Sequence, residues 1–297
     1  MFGLFKKKHK QQVELEQNID ILPEEEKIED EKVFALYLLF HKSFVVDKEA
    51  VIKTISEIDN SKVNIDFEYD LDGKDALLCN VKINDDLFQL VGLDAPLPEE
   101  IYNYTVNCAY GNEVELKRMR DHKYHIIAFY KGNSKDQMHI FNAYSKLAYG
   151  FLQYDLLGMA NPYSWNSIIP SLIKEMVEDD EAKELISIPA MMVWRSFVKV
   201  PYNDGVWFVT KGNNLYDIYE YAYYGTIEET GEVYNLFENI FNYVYESKAE
   251  ILAGHTMEME GDIYMKFRNV YELENILNGD GIGTLVIEKI SKNEINR

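Results

Sequence analysis

The pair His122 and His125, in Asp121-His-Lys-Tyr-His125, is the arrangement in this chain that comes nearest to metal chemistry. A tetrahedral zinc site takes imidazole, thiolate or carboxylate ligands, and a His-x-x-His spacing can supply a pair of them. On a strand the two rings would face opposite sides, and on a helix they could meet only with further ligands from elsewhere. His41, His139 and His255 are the imidazoles that could complete such a set, with carboxylates from the second half of the chain. The competing expectation is structural, since an imidazole is also an ordinary donor and acceptor. Glu258, Glu260 and Asp262 bracket a hairpin near His255, but Glu258 and Glu260 alternate as on the solvated face of a strand.

Nucleophilic chemistry has less to stand on. The chain contains no Gly-x-Ser-x-Gly elbow, and neither Cys79 nor Cys108 sits in a nucleophile motif. Gly279-Asp-Gly-Ile-Gly283 lacks the Lys-Ser or Lys-Thr of a phosphate loop and precedes a strand, so it reads as a turn. No catalytic residue is assigned and no cofactor is implied.

Large aromatic side chains offer a different kind of site. Trp194-Arg195 and Trp207 lie on two expected hairpin strands, and Tyr221 and Tyr223 follow in a tyrosine-rich segment. Rigid aromatics with an arginine anchor dominate many protein interfaces, and they are equally at home in a core. The expectation carried forward is a binding surface on Trp194, Arg195, Trp207, Tyr221 and Tyr223.

Composition favours binding over catalysis. Fifty-one acidic residues against 30 basic ones give a formal charge of -21, in a chain that also has 22 Tyr, 15 Phe and 3 Trp. Such a surface repels phosphate backbones and anionic lipid and attracts basic partners. Direct nucleic-acid binding is therefore not expected. The longest apolar run, Val33 to Phe40, is far short of the roughly 20 residues that span a bilayer. The start of the chain lacks the pattern of a secretory signal, and two cysteines without a short-spaced partner fit buried reduced thiols, so the expected compartment is the cytoplasm.

The elements that must position these residues follow from periodicity. Residues 1–31 read as a disordered charged tail, basic and then acidic, with too few apolar residues to repay ordering. Residues 32–158 form a first α+β half: a strand at Val33 to Phe40, a helix at Asp47 to Ile58, a hairpin around Asn84-Asp85-Asp86, a short helix from Glu113, a strand from His125, and a helix from Ser134 to Phe151. That order predicts a ferredoxin-like antiparallel sheet covered by helices on one face. Gly158-Met-Ala-Asn-Pro162 reads as the break, and Ser164-Trp-Asn-Ser167 sits just ahead of a helix running through Ile173 and Met176 to Val177. Residues 159–297 form the second half, with strands at Ala190 to Val200, Val206 to Thr210 and Leu215 to Tyr224, a helix at Glu232 to Ser247, and three further strands. The fold class is thus α+β, with two antiparallel sheet layers and packed helices.

Ser187-Ile-Pro-Ala-Met-Met-Val-Trp194-Arg195, then Trp207-Phe-Val-Thr210-Lys-Gly212, a long helix and Ala253-Gly-His-Thr256, together with His122-Lys-Tyr-His125-Ile-Ile, resemble an uncharacterised bacterial domain-of-unknown-function family, the one numbered 4261. The resemblance implies a bacterial cytoplasmic α+β protein with no assigned reaction and no catalytic residues. Asn213-Asn214-Leu215-Tyr216-Asp217 departs from the family pattern, which marks the chain as divergent.

The functional expectation is a non-enzymatic acidic protein, immunity-like or adaptor-like, that binds a basic protein partner. The alternatives are a metal-dependent enzyme using His122, His125 and carboxylates, and a nucleic-acid mimic whose carboxylates imitate phosphates.

Overall fold

The computed structural model describes residues 34–67, 77–258, 263–278 and 281–294. The charged tail expected at 1–31, together with Gly279, Asp280, Glu260 and Asp262, lies outside the described residues. The described residues form one compact unit.

The chain enters through β1 (Ala35–Phe40), whose unbroken apolar run is buried from both sides. Next come α1 (Lys48–Asp59), capped by the Asp47 carboxylate on the Ala50 N–H, and β2 (Val63–Phe67). A tight turn with Asn84 at φ 54 joins β3 (Leu78–Ile83) to β4 (Asp86–Leu93). Then follow α2 (Glu99–Thr105), α3 (Glu113–Arg120), β5 (Tyr124–Tyr130), α4 (Gln137–Phe151), β6 (Gly158–Asn161), β7 (Asn166–Ile168) and α5 (Pro170–Glu178). Strands of the first sheet lie in the order β2-β3-β4-β5-β1-β6-β7, all antiparallel.

A split β-α-β is present: β5 and β6 flank β1 and are joined through α4. It sits within a seven-stranded sheet. Helices cover both faces, which corrects the expectation of one. Leu36, Leu38 and Phe40 pack with α1 and α4, while Leu39 turns to the other side with Val106, Leu116 and Met119 of the α2–α3 region. Two-sided burial is what a strand without polar alternation requires.

The expected division after residue 158 falls inside β6. Gly158 is a strand residue rather than a turn, and a Cβ there would lie 2.4 Å from Met119 Sδ, so glycine is needed for close packing against α3. The first sheet runs on through Ile168, and Val193 and Trp194 still belong to its core. Ser164 to Ser167, expected just ahead of a helix, lies in the turn and return strand of the β6–β7 hairpin, and the helix follows as α5.

The second sheet contains β8 (Ser196–Tyr202), β9 (Gly205–Lys211), β10 (Glu220–Gly225), β11 (Thr256–Glu258), β12 (Ile263–Asn269) and β13 (Thr284–Ser291). Their order is β11-β12-β13-β10-β9-β8; β10 and β13 are parallel and the other pairs antiparallel. The apolar stripe of α6 (Thr230–Ser247), from Val233 to Val244, packs on Phe208, Tyr221, Phe267 and Leu285. Short α7 (Glu274–Leu277) closes the opposite face over Trp207, Val209, Ala222 and Val286. Residues 190–195, expected as strand, make a compact turn in which the N–H groups of Trp194 and Arg195 both reach Ala190 O and Met192 has φ 69. β10 likewise starts at Glu220, after a 3₁₀ turn at Asn213–Tyr216.

Candidate functional site

The five residues expected to form an aromatic contact surface are interior, which corrects that expectation. Trp194 and Arg195 are fully buried, and Trp207, Tyr221 and Tyr223 are nearly so. Trp194 stacks on Phe141 at 4.3 Å and donates its indole N–H to Leu185 O. The Arg195 guanidinium donates to Pro189 O at 2.6 Å, Asn213 Oδ1 at 3.1 Å and Glu238 Oε1, and lies 3.5 Å from the centroid of Phe241. A buried cation needs acceptors, and here every arm of the fork is used inside the protein. Glu220 is a buried carboxyl nearby, taking hydrogen bonds from the Thr210 hydroxyl, the Gly212 and Asn214 N–H groups and the Asn214 side chain. Burial pushes the Glu220 carboxyl up, against the pull of those donors.

His122 and His125 are buried as well, and each is committed to backbone. His122 Nδ1–H donates to Met119 O at 2.9 Å, and its Nε2 accepts the Leu97 N–H at 2.8 Å. His125 Nδ1–H donates to Ala95 O at 2.8 Å. Among the described residues no group of three or more His, Cys, Asp or Glu side chains is placed to hold a metal ion. Burial lowers the pKa of both imidazoles and so favours their neutral forms, and the Leu97 N–H donated to Nε2 requires the neutral ring at His122. Their work is to pin the stretch 95–97 on to β5, immediately ahead of α2.

That stretch leads into the exposed feature that the sequence reading missed. Pro98, Glu99, Glu100, Asn103 and Tyr104 line an open groove of about 500 Å³. Tyr104, 47% exposed, stacks on Trp165 with ring centroids 4.3 Å apart and planes at 27°. Trp165 occupies the tip of the β6–β7 hairpin in the left-handed region at φ 52, a costly conformation for an aromatic residue. Its ring also meets Lys211 Nζ, 4.5 Å from the centroid, and the same ammonium donates to Ile276 O and Asn278 O. Tyr110 and Val114, 69% and 72% exposed, extend the apolar character along the loop into α3. The α2 helix is seated by Thr105 and Val106, and Tyr102 stacks on His122, so its acidic side stays outward. Pro98-Glu99-Glu100 ahead of Tyr102 is a helix-start pattern from which α2 could have been read. Nothing in the linear order brings Trp165 to Tyr104.

A second groove, of about 460 Å³, opens between the β3–β4 turn and the start of α4. There Asp86, 7% exposed, accepts from Tyr130 OH at 2.6 Å and from His139 Nε2 at 2.9 Å. The triad ties the hairpin turn to β5 and α4. Cys79 is buried, whereas Cys108 is exposed, against the expectation of two buried thiols. No helix among the described residues is long and apolar enough to cross a membrane.

No family model, curated protein or solved structure matches the chain.

Proposed function

We propose that this chain is a non-enzymatic acidic binding protein of the cytoplasm, adaptor-like or immunity-like, that engages a basic protein partner through the Glu99–Tyr104 groove. The observation that carries the reading is the half-exposed Tyr104 ring, held rigid by Trp165 and flanked by two exposed carboxylates on the groove wall. Lysine and arginine pair with carboxylates and pack their stems or charges on aromatic faces, so one partner side chain meets both kinds of contact here. The net charge of -21 adds long-range steering towards a positive surface. The half-exposed Tyr104 and the exposed Glu99 and Glu100 support a face on α2 and the β6–β7 tip, whereas Trp194, Arg195, Trp207, Tyr221 and Tyr223 are buried.

The test is titration with a lysine-rich peptide, followed by the side-chain NMR signals of Tyr104 and Trp165, against a peptide of equal length in which serine replaces lysine. Saturable shifts confined to 98–114 and Trp165, and lost in Tyr104→Ala, are expected. Shifts spread over all acidic surfaces, or unchanged in Tyr104→Ala, would reduce the interaction to general charge attraction.

A further inference from the structure

The groove stands on a hydrogen bond that a single proton can abolish. His122 Nδ1–H is spent on Met119 O, the last-turn carbonyl of α3, so Nε2 carries the lone pair that takes the Leu97 N–H. A proton added at Nε2 would set two donors against each other at 2.8 Å, in a place from which water is excluded. His125 differs, because its bond to Ala95 O uses an N–H that protonation leaves in place. The two rings therefore have separate roles: His125 anchors the stretch 95–97, and His122 latches it.

We infer that His122 is a proton-operated latch on the Leu97 segment, and that acidification releases the start of α2 and dismantles the Glu99–Tyr104 groove. The consequence for binding rests on the function proposed above; the latch itself does not. The charged and titratable groups around the ring act in one direction. Burial opposes a positive charge on His122 most strongly, His125 of β5, Lys123 just ahead of it and His41 oppose it further, and Tyr102 covers a ring face. The Met119 carbonyl favours it. The proton therefore enters by way of the opened segment, where the imidazole regains its ordinary value near 6.5. Below that value each pH unit favours the open segment by about tenfold, until the folded ring itself titrates. Tyr104 shares α2 with the released segment, so its stack on Trp165 is loosened with the latch.

Hydrogen exchange at the Leu97 amide reads the latch without any partner. In the full chain the protection factor at Leu97 should fall by about tenfold per pH unit between pH 6.5 and 5, while amides in the centre of β1 hold theirs. His122→Gln keeps an acceptor near the Nε2 position and removes the proton, so its Leu97 profile should be shallower by that tenfold per unit. The 15N shift of His122 Nε2 in the unmutated protein gives a second reading should the variant fold poorly: an unprotonated nitrogen at neutral pH is expected, and a protonated one would overturn the latch. A Leu97 profile independent of pH, or one equally steep in His122→Gln, would overturn it too. The lysine-rich peptide, titrated at pH 7.5 and pH 5.5, then separates the two ideas. Absence of binding at pH 7.5 sinks the proposed function and leaves the exchange result standing, whereas binding unchanged at pH 5.5 despite lost Leu97 protection breaks the link between latch and groove.

Discussion

Tyr104 stacks on Trp165 across 61 positions of sequence, with centroids 4.3 Å apart, and one ring is half exposed while the other is pinned from behind by Lys211. The α2 helix and the β6–β7 hairpin tip are thus joined at the protein surface by the pair that would meet a partner. Removing Tyr104 should matter for recognition and little for folding. Tyr104→Ala is expected to weaken the lysine-rich peptide by about 5–30-fold, the range of an interface anchor, and to leave the thermal midpoint nearly unchanged. Calorimetric titration and a thermal melt on the same sample check both halves.

The carboxylates beside that ring should act on rate more than on residence. Glu99→Gln with Glu100→Gln is expected to slow association and to flatten its dependence on salt, with a smaller change in dissociation. Stopped-flow mixing at two ionic strengths measures this directly. An equal slowing at both salt concentrations would place the steering charge elsewhere on the molecule.

Arg195 belongs to the interior, and its loss should be felt as instability. Arg195→Ala leaves Glu238 and Asn213 without their donor and removes the guanidinium from Phe241, at a cost of about 3–5 kcal/mol. Arg195→Lys should recover only part of that, because an ammonium cannot reproduce the fork that reaches Pro189, Asn213 and Glu238 together. Urea unfolding of the variants provides the comparison.

Gly212 is constrained twice. Its φ of 103 is unfavourable for any side chain, and a Cβ would stand 2.7 Å from Ser164 Cβ. Gly212→Ala should destabilise by more than about 1 kcal/mol. Adding Ser164→Gly relieves the collision and leaves the backbone cost, so the double variant should fall between the single variant and the parent. A double variant no better than Gly212→Ala would show that φ and the backbone of Trp194 and Arg195 set the penalty.

Acid should weaken the fold through the histidines. Burial lowers the pKa of His122 and His125, so their neutral forms favour the folded state; that contribution is complete above the ordinary value near 6.5 and is lost as pH falls below it towards the folded values. Glu220 runs the other way, since burial raises its pKa and any penalty for its ionisation grows as pH rises through the ordinary 4.5. The change in thermal midpoint from pH 5 to 7.5 should therefore be more positive in the parent than in His122→Gln. Parallel profiles in the parent and His122→Gln would contradict the neutral assignment of His122.

Much of the secondary structure was legible because its physical cause is local. The caps and apolar spacing of α1, α4 and α6, and the Asn84 turn, are written in neighbouring residues. The unbroken run at β1 announced burial, though not that helices would cover both sides. Elements without a local signal were misread. Gly158 looks like a break until Met119 is seen against it, and residues 190–195 look like a strand until Trp194 and Arg195 fold back on Ala190.

Composition by itself determined that the chain is acidic, aromatic and mixed α+β in pattern, since charge and periodicity are sums over the chain and short-range repeats. Which aromatics face water was decided by tertiary structure alone. Trp194, Trp207, Tyr221 and Tyr223 resemble Tyr104 and Tyr110 in chemistry, and only the packing of α4, α6 and α7 on the two sheets hides the first group and leaves the second exposed. The histidines show the same division: their spacing could be read as ligands, and it is the approach of residues 95–97, more than twenty positions away, that turns both rings to the backbone.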